Sequence, residues 1–291
     1  MTGSFRECVS SVTKFYPDDV LVKPRRSKFL GWAADLINRS KLSAMQIDTS
    51  YVDVPVQGKV MRTFVAAPAD DKRYPGILFY SDIFQLSEST LRWVKRLASY
   101  GFVVAAPEIY YRIEPAGTVL EFDDAGKERG QADVDALFAE QFDEDIAGGL
   151  TWLRDYPRVS VAPLGIAGHC TGGHIAFRAA LQPEVAATAC WYATGLHDGK
   201  LGADADAGSL ARSGEIGGEL LMIFGSRDPH TPADGLQIIH KQLQESGVDF
   251  DWHIYDAEHA FGRDIGPRWN PQATDEAMAQ TVAFFRRTLG G

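Results

Sequence analysis

The run Gly168-His169-Cys170-Thr171-Gly172-Gly173 constrains this chain more than any other segment. An apolar run, Pro163-Leu164-Gly165-Ile166-Ala167, precedes it, and a helix-like stretch, Ile175-Ala176-Phe177-Arg178-Ala179-Ala180-Leu181, follows it. A strand that turns this abruptly into a helix holds its central residue in a strained conformation. The small residues Gly168 and Gly172 let strand and helix approach closely enough to make the turn. The Cys170 thiol then projects from the turn beside a helix amino end, where the dipole favours the thiolate. The backbone N–H of Thr171 points to where an oxyanion would develop. Hydrolases built on such a turn commonly carry serine at its centre; this chain carries cysteine.

The surrounding pattern alternates strands with helices from about residue 46. Ile47–Val54 and Gly58–Ala66 read as a β-hairpin that starts a sheet. Gly76–Tyr80, Phe102–Ala106, Leu164–Ala167, Ala186–Tyr192, Glu219–Phe224 and Phe250–Tyr255 read as further strands. Ser89–Tyr100, Asp133–Tyr156, Ala233–Ser246 and Asp275–Leu289 read as helices. Continuous apolar strands between helices predict an α/β fold, with a mainly parallel central sheet covered by helices on both faces. Such sheets place their ligands at the carboxyl ends of the strands.

A nucleophile of this kind needs a base, and the base needs an orienting group. In chain order after Cys170, strand Glu219–Phe224 runs into Gly225-Ser226-Arg227-Asp228-Pro229, which puts Asp228 at a strand end. Strand Phe250–Tyr255 runs into Asp256-Ala257-Glu258-His259-Ala260-Phe261-Gly262, which puts His259 on the next loop. His259 would take the thiol proton or hold an ion pair with the thiolate, and Asp228 would fix its tautomer. His169 and His174 lie near Cys170 in sequence, but neither follows a late strand. Cys190 sits in an apolar strand and reads as core; Cys8 lies in the amino-terminal extension.

Composition narrows the partners. The 291-residue chain carries a net charge of −10, which argues against a nucleic-acid surface. Residues 1–45 hold eight Lys/Arg against four Asp/Glu, net +4, leaving −14 for the rest. They read as a basic extension, residues 46–291 as the main domain. Within the extension Phe29, Leu30, Trp32, Ala33, Leu36 and Ile37 fall at helical spacing, a face to pack against the body. Three cysteines form neither a disulfide framework nor a zinc pattern, so no metal is expected. No apolar stretch is long enough to span a bilayer, and the amino terminus lacks the apolar core of a signal peptide. A cytoplasmic chain, monomer or homodimer, with a small-molecule substrate and neither nucleic acid nor membrane as partner, is the expectation.

The same residues resemble the dienelactone hydrolase family, the carboxymethylenebutenolidases, over about residues 46–290. The likeness lies in the cysteine turn, in Asp228 before its proline, and in His259-Ala260-Phe261. It also lies in Ser81-Asp82-Ile83-Phe84 and in Pro107-Glu108-Ile109-Tyr110-Tyr111-Arg112. The resemblance implies an α/β-hydrolase fold and a Cys170–His259–Asp228 triad. It implies a second oxyanion donor in the amide of Ile83, and a substrate carboxylate held by Arg112 and Arg263. It implies no cofactor. In the family a glutamate pairs with the resting thiol; here that place holds Asp82, one methylene shorter, which would instead cap the following helix or bond within its loop. A second departure is Asp198–Gly218, rich in Gly, Ala and Asp, which reads as a mobile flap or a plain surface loop. The function implied is a cysteine-dependent hydrolase of small esters or lactones bearing a carboxylate. The alternatives are an acyltransferase or a general carboxylesterase on the same scaffold, and behind them a non-enzymatic binding module.

Overall fold

A computed structural model of the chain describes residues 45–160 and 163–290. The basic extension, apart from Met45, lies outside the described residues. The described chain opens with the hairpin β1 (Ile47–Val56) and β2 (Lys59–Pro68). Gln57 and Gly58, with φ of 47° and 76°, make the two-residue turn whose twist matches that of paired strands. Then follow β3 (Gly76–Tyr80), α1 (Glu88–Ala98), β4 (Val103–Pro107), α2 (Asp124–Asp135) and α3 (Ala139–Asp155). The second half runs β5 (Leu164–His169), α4 (Thr171–Ala179), β6 (Val185–Trp191), β7 (Glu219–Gly225), α5 (Ala233–Ser246), β8 (Asp249–Tyr255) and α6 (Pro271–Leu289).

The eight strands lie in the order β1-β2-β4-β3-β5-β6-β7-β8. β2 is antiparallel to β1 and to β4, and every other pairing is parallel. The central strands are buried on both faces, and their side chains alternate between two cores. Leu78 and Tyr80 of β3, with Leu220, Met222 and Phe224 of β7, pack against α3, α4 and α5. Ile77 and Phe79, with Leu221 and Ile223, pack against α1 and α6. This is why the strands read as unbroken apolar runs. The chain leaves β3 toward β4 on one side and returns past it to β5 on the other. A crevice therefore opens at the carboxyl ends of β3 and β5.

One expected element differs. The helix read over Asp133–Tyr156 is two helices, with a break at 136–138. Phe138 caps α3 through its own amide, which donates to Gln141 Oε1 at 2.9 Å. Leu137 spends its carbonyl on the amide of Ala203 at 2.8 Å. α2 holds two glycines and only a few buried residues, so it lacks the apolar stripe by which a helix is read from sequence. Among the described residues no helix is long and apolar enough to cross a membrane.

Candidate active site

The turn after β5 is held by backbone contacts that leave no room for side chains. A Cβ on Gly168 would stand 1.9 Å from the Gly172 carbonyl oxygen, and one on Gly172 would stand 2.2 Å from that of Tyr80. Between them Cys170 adopts φ 58° and ψ −122°, a conformation that costs a non-glycine residue about 1–3 kcal/mol and persists only when its surroundings enforce it. They do so here. The Cys170 amide donates to the Trp191 carbonyl at 3.0 Å, and its own carbonyl accepts from the amides of Gly173 (2.9 Å), His174 and Thr194 (both 3.3 Å). The side chain is thereby turned into the crevice at the head of α4. Thr171 is the first residue of that helix, so its N–H has no carbonyl within the helix to meet.

Two further strand ends converge on Cys170. The loops after β7 and β8 are laced together by Ser226 N–H to Tyr255 O (2.8 Å) and Arg227 N–H to Ala257 O (3.0 Å). Asp228, fully buried at its side chain, accepts from Nδ1 of His259 at 2.7 Å. His259 follows β8 on a turn whose next residue, Ala260, has φ 60°, and buried Phe261 anchors that turn in the core. Burial alone would push the His259 pKa down. The negative charge of Cys170, with hydrogen bonds to Asp228 and Cys170, outweighs burial and raises it to about 9. The structure thus brings Cys170, His259 and Asp228 together as a connected chain of side chains.

Cys170 and His259 open onto a cavity of about 440 Å³, also lined by Ile83, Thr171 and Arg263. Arg263 is nearly buried. Its Nη1 donates to Asp82 Oδ2 at 2.9 Å, and its guanidinium lies 3.9 Å from the Phe122 ring centroid and 5.0 Å from that of Phe84. Its Nε has no hydrogen-bond partner. The other oxygen of Asp82 accepts from the Phe84 amide at 3.0 Å. Asp82 therefore bonds within its loop and to Arg263; it does not cap the helix after it, whose cap is Ser87. Burial raises the Asp82 pKa, and Arg263 counters that rise.

Arg112 does not join the site. Its Nη2 lies 2.6 Å from Asp145 and 2.8 Å from Glu144, and its side chain is only 7% exposed. The Tyr111 hydroxyl donates to the same Asp145. The expectation that Arg112 faces substrate is corrected by these partners: α3 supplies two carboxylates that hold the guanidinium away from the cavity.

The segment 198–218 begins in the cavity wall. Asp198, Lys200, Leu201 and Gly202 line the cavity. Asp204 Oδ2 accepts from the Ala139 amide at 2.7 Å. Buried Ser209 takes a hydrogen bond from Arg178 at 3.2 Å and meets His174 Nε2 at 2.9 Å. His174 Nδ1 meets the Thr194 carbonyl, so it carries the proton and Nε2 accepts from the serine. Sequence reasoning also left out His230, Phe122, Lys127 and Arg268, all in the cavity wall. His230 lies two residues after Asp228 and was legible by that spacing; the other three belong to loops and to α2, where no pattern marks them. Among the described residues no cluster of three His, Cys, Asp or Glu side chains could hold a metal ion.

A mainly parallel sheet with a strained cysteine turn after a central strand, and an aspartate and a histidine on the loops of the last two strands, has the layout of an α/β-hydrolase. The model of the dienelactone hydrolase family matches residues 61–289, and the chain belongs to that family, whose members are hydrolases of carboxylic esters and lactones. A Saccharomyces cerevisiae protein provisionally named carboxymethylenebutenolidase is 34% identical over 250 residues, 83% of this chain and 90% of that protein. A Synechocystis protein of the same name is 26% identical over 246 residues, 84% of this chain and 99% of that protein. A crystal structure of a Klebsiella pneumoniae protein, provisionally named dienelactone hydrolase, superimposes with a TM-score of 0.70 at 22% identity. The match covers 83% of this chain and 99% of that one, and it shows the fold.

Proposed function

We propose that this chain is a cysteine hydrolase of small esters or lactones that bear a carboxylate. The observation that carries the reading is the connected line of side chains: Asp228 accepts from Nδ1 of His259 at 2.7 Å, and Cys170 and Asp228 together outweigh burial in raising the His259 pKa to about 9. A thiol in line with an imidazole that a carboxylate orients is the arrangement a cysteine nucleophile needs.

The Sγ of Cys170 attacks the carbonyl carbon. The amides of Thr171 and Ile83 receive the oxyanion, each such donor being worth about 3 kcal/mol. The C–O bond breaks as Nε2 of His259 gives its proton to the leaving oxygen, and a thioester remains. Water then attacks the thioester, returns a proton to His259, and expels the thiolate with the free acid. Arg263 is the group for the substrate carboxylate. The Phe122 and Phe84 rings pack beside the guanidinium, and the substrate would compete with Asp82 for it.

The test is a panel of one lactone carrying a free carboxylate, its methyl ester, and p-nitrophenyl acetate. The reading expects the free acid to have at least tenfold higher kcat/KM than the methyl ester. Equal turnover of both would make the chain a general esterase.

A further inference from the structure

His230 stands in the cavity wall beside His259, and the triad gives it no task. The two rings meet with centroids 4.5 Å apart at 61°. One carboxylate fixes both residues: Asp228 Oδ2 takes His259 Nδ1 at 2.7 Å, and Oδ1 takes the backbone N–H of His230 at 2.8 Å. Pro229 stiffens the chain between Asp228 and His230, and Pro232 follows two residues after His230. Among the described residues, neither ring nitrogen of His230 has a hydrogen-bond partner. Burial, then the positive charge of His259, and further off Arg268 and Lys127, hold the imidazole below its ordinary pKa, against the pull of Asp228. At neutral pH the ring is uncharged, with one N–H donor and one acceptor, half-open to the substrate cavity.

We propose that His230 is a second catalytic imidazole, whose N–H hydrogen-bonds the substrate oxygen that leaves the carbonyl, next to the proton delivered by His259. The inference rests on the cysteine-hydrolase reading. In the step concerned the C–O electron pair passes to the leaving oxygen. His259 Nε2 gives that oxygen its proton, and His230 keeps its own, contributing only the hydrogen bond. The attacking water of the second half-reaction enters where the leaving oxygen departs, so the same N–H positions it.

The chemistry gives this help a selective value. A tetrahedral intermediate on cysteine can expel either the thiolate or the substrate oxygen. An alkoxide is the poorer leaving group and departs only with assistance; a p-nitrophenolate departs without it.

The test compares ethyl and p-nitrophenyl esters of one acid, read as kcat/KM, which reports acylation alone. His230→Phe keeps a ring against His259 and removes both nitrogens; His230→Gln returns an N–H donor. The expected result is a 10- to 100-fold loss on the ethyl ester with His230→Phe and less than threefold on the p-nitrophenyl ester. His230→Gln should recover most of the loss. The rate of Cys170 alkylation by iodoacetamide should stay within twofold of the unsubstituted protein in both variants. An equal loss on both esters, an altered alkylation rate, or no loss at all would overturn the proposal. Failure of the cysteine-hydrolase reading itself shows separately, as activity retained by Cys170→Ala.

Discussion

Arg112 grips Asp145 through Nη2 at 2.6 Å and Nε at 3.1 Å, and both side chains are less than a tenth exposed. Removing one member of a buried pair strands the other charge, at a cost of about 3–5 kcal/mol. Arg112→Met should therefore lower the unfolding free energy by about that amount in denaturant titration. Its KM for a carboxylate-bearing substrate should stay within twofold of the parent, because the guanidinium lies outside the cavity.

Arg263 should behave in the opposite sense. Arg263→Met should raise KM for the free-carboxylate lactone at least tenfold and leave that for the neutral methyl ester nearly unchanged. It also leaves Asp82 buried without its partner. The double variant Asp82→Asn/Arg263→Met should regain stability over the single one, while the KM defect remains. Steady-state kinetics together with thermal melts separate the two effects.

Acid should weaken the fold through two buried histidines. Burial holds His169 neutral down to about pH 3, and it holds His174, despite its bond to Thr194, neutral down to about pH 4. In the unfolded chain both rings take up protons near pH 6.5. Below that pH the unfolded state binds more protons than the folded one, so stability is present above 6.5 and falls as pH drops toward 4. His169 packs its ring against Phe79, Trp93, Trp191 and Tyr192, and its Nε2 has no partner. His169→Phe should then gain more stability at pH 5 than at pH 8, as read by urea midpoints.

The strands, and the places of Cys170, Asp228 and His259 after them, were legible because each carries a local signal. Gly168 and Gly172 mark a turn that only glycines can flank, and Asp228 and His259 each follow an apolar run by a few residues. The start of α6 was missed although its signal is present: Asn270 caps it through Oδ1 to the Ala273 amide at 3.1 Å, with Pro271 first in the helix. α2 gave no such signal. Its polar surface and glycines look like loop, and its shape comes from Asp123 capping Gly126 at 2.7 Å and from contacts distant in sequence. Arg112 shows a different limit. Its motif is intact, but the residues that decide its direction, Glu144 and Asp145, lie over thirty positions away on another helix.

The central claim is that Cys170 carries the acyl group. The direct measurement is mass spectrometry of the enzyme quenched in acid during turnover of a slowly hydrolysed ester, followed by peptide mapping. The account predicts a mass increase equal to the acyl group on the peptide containing Cys170, and at least a thousandfold loss of kcat/KM in Cys170→Ala. An unmodified Cys170 peptide, with activity kept by Cys170→Ala, would contradict it.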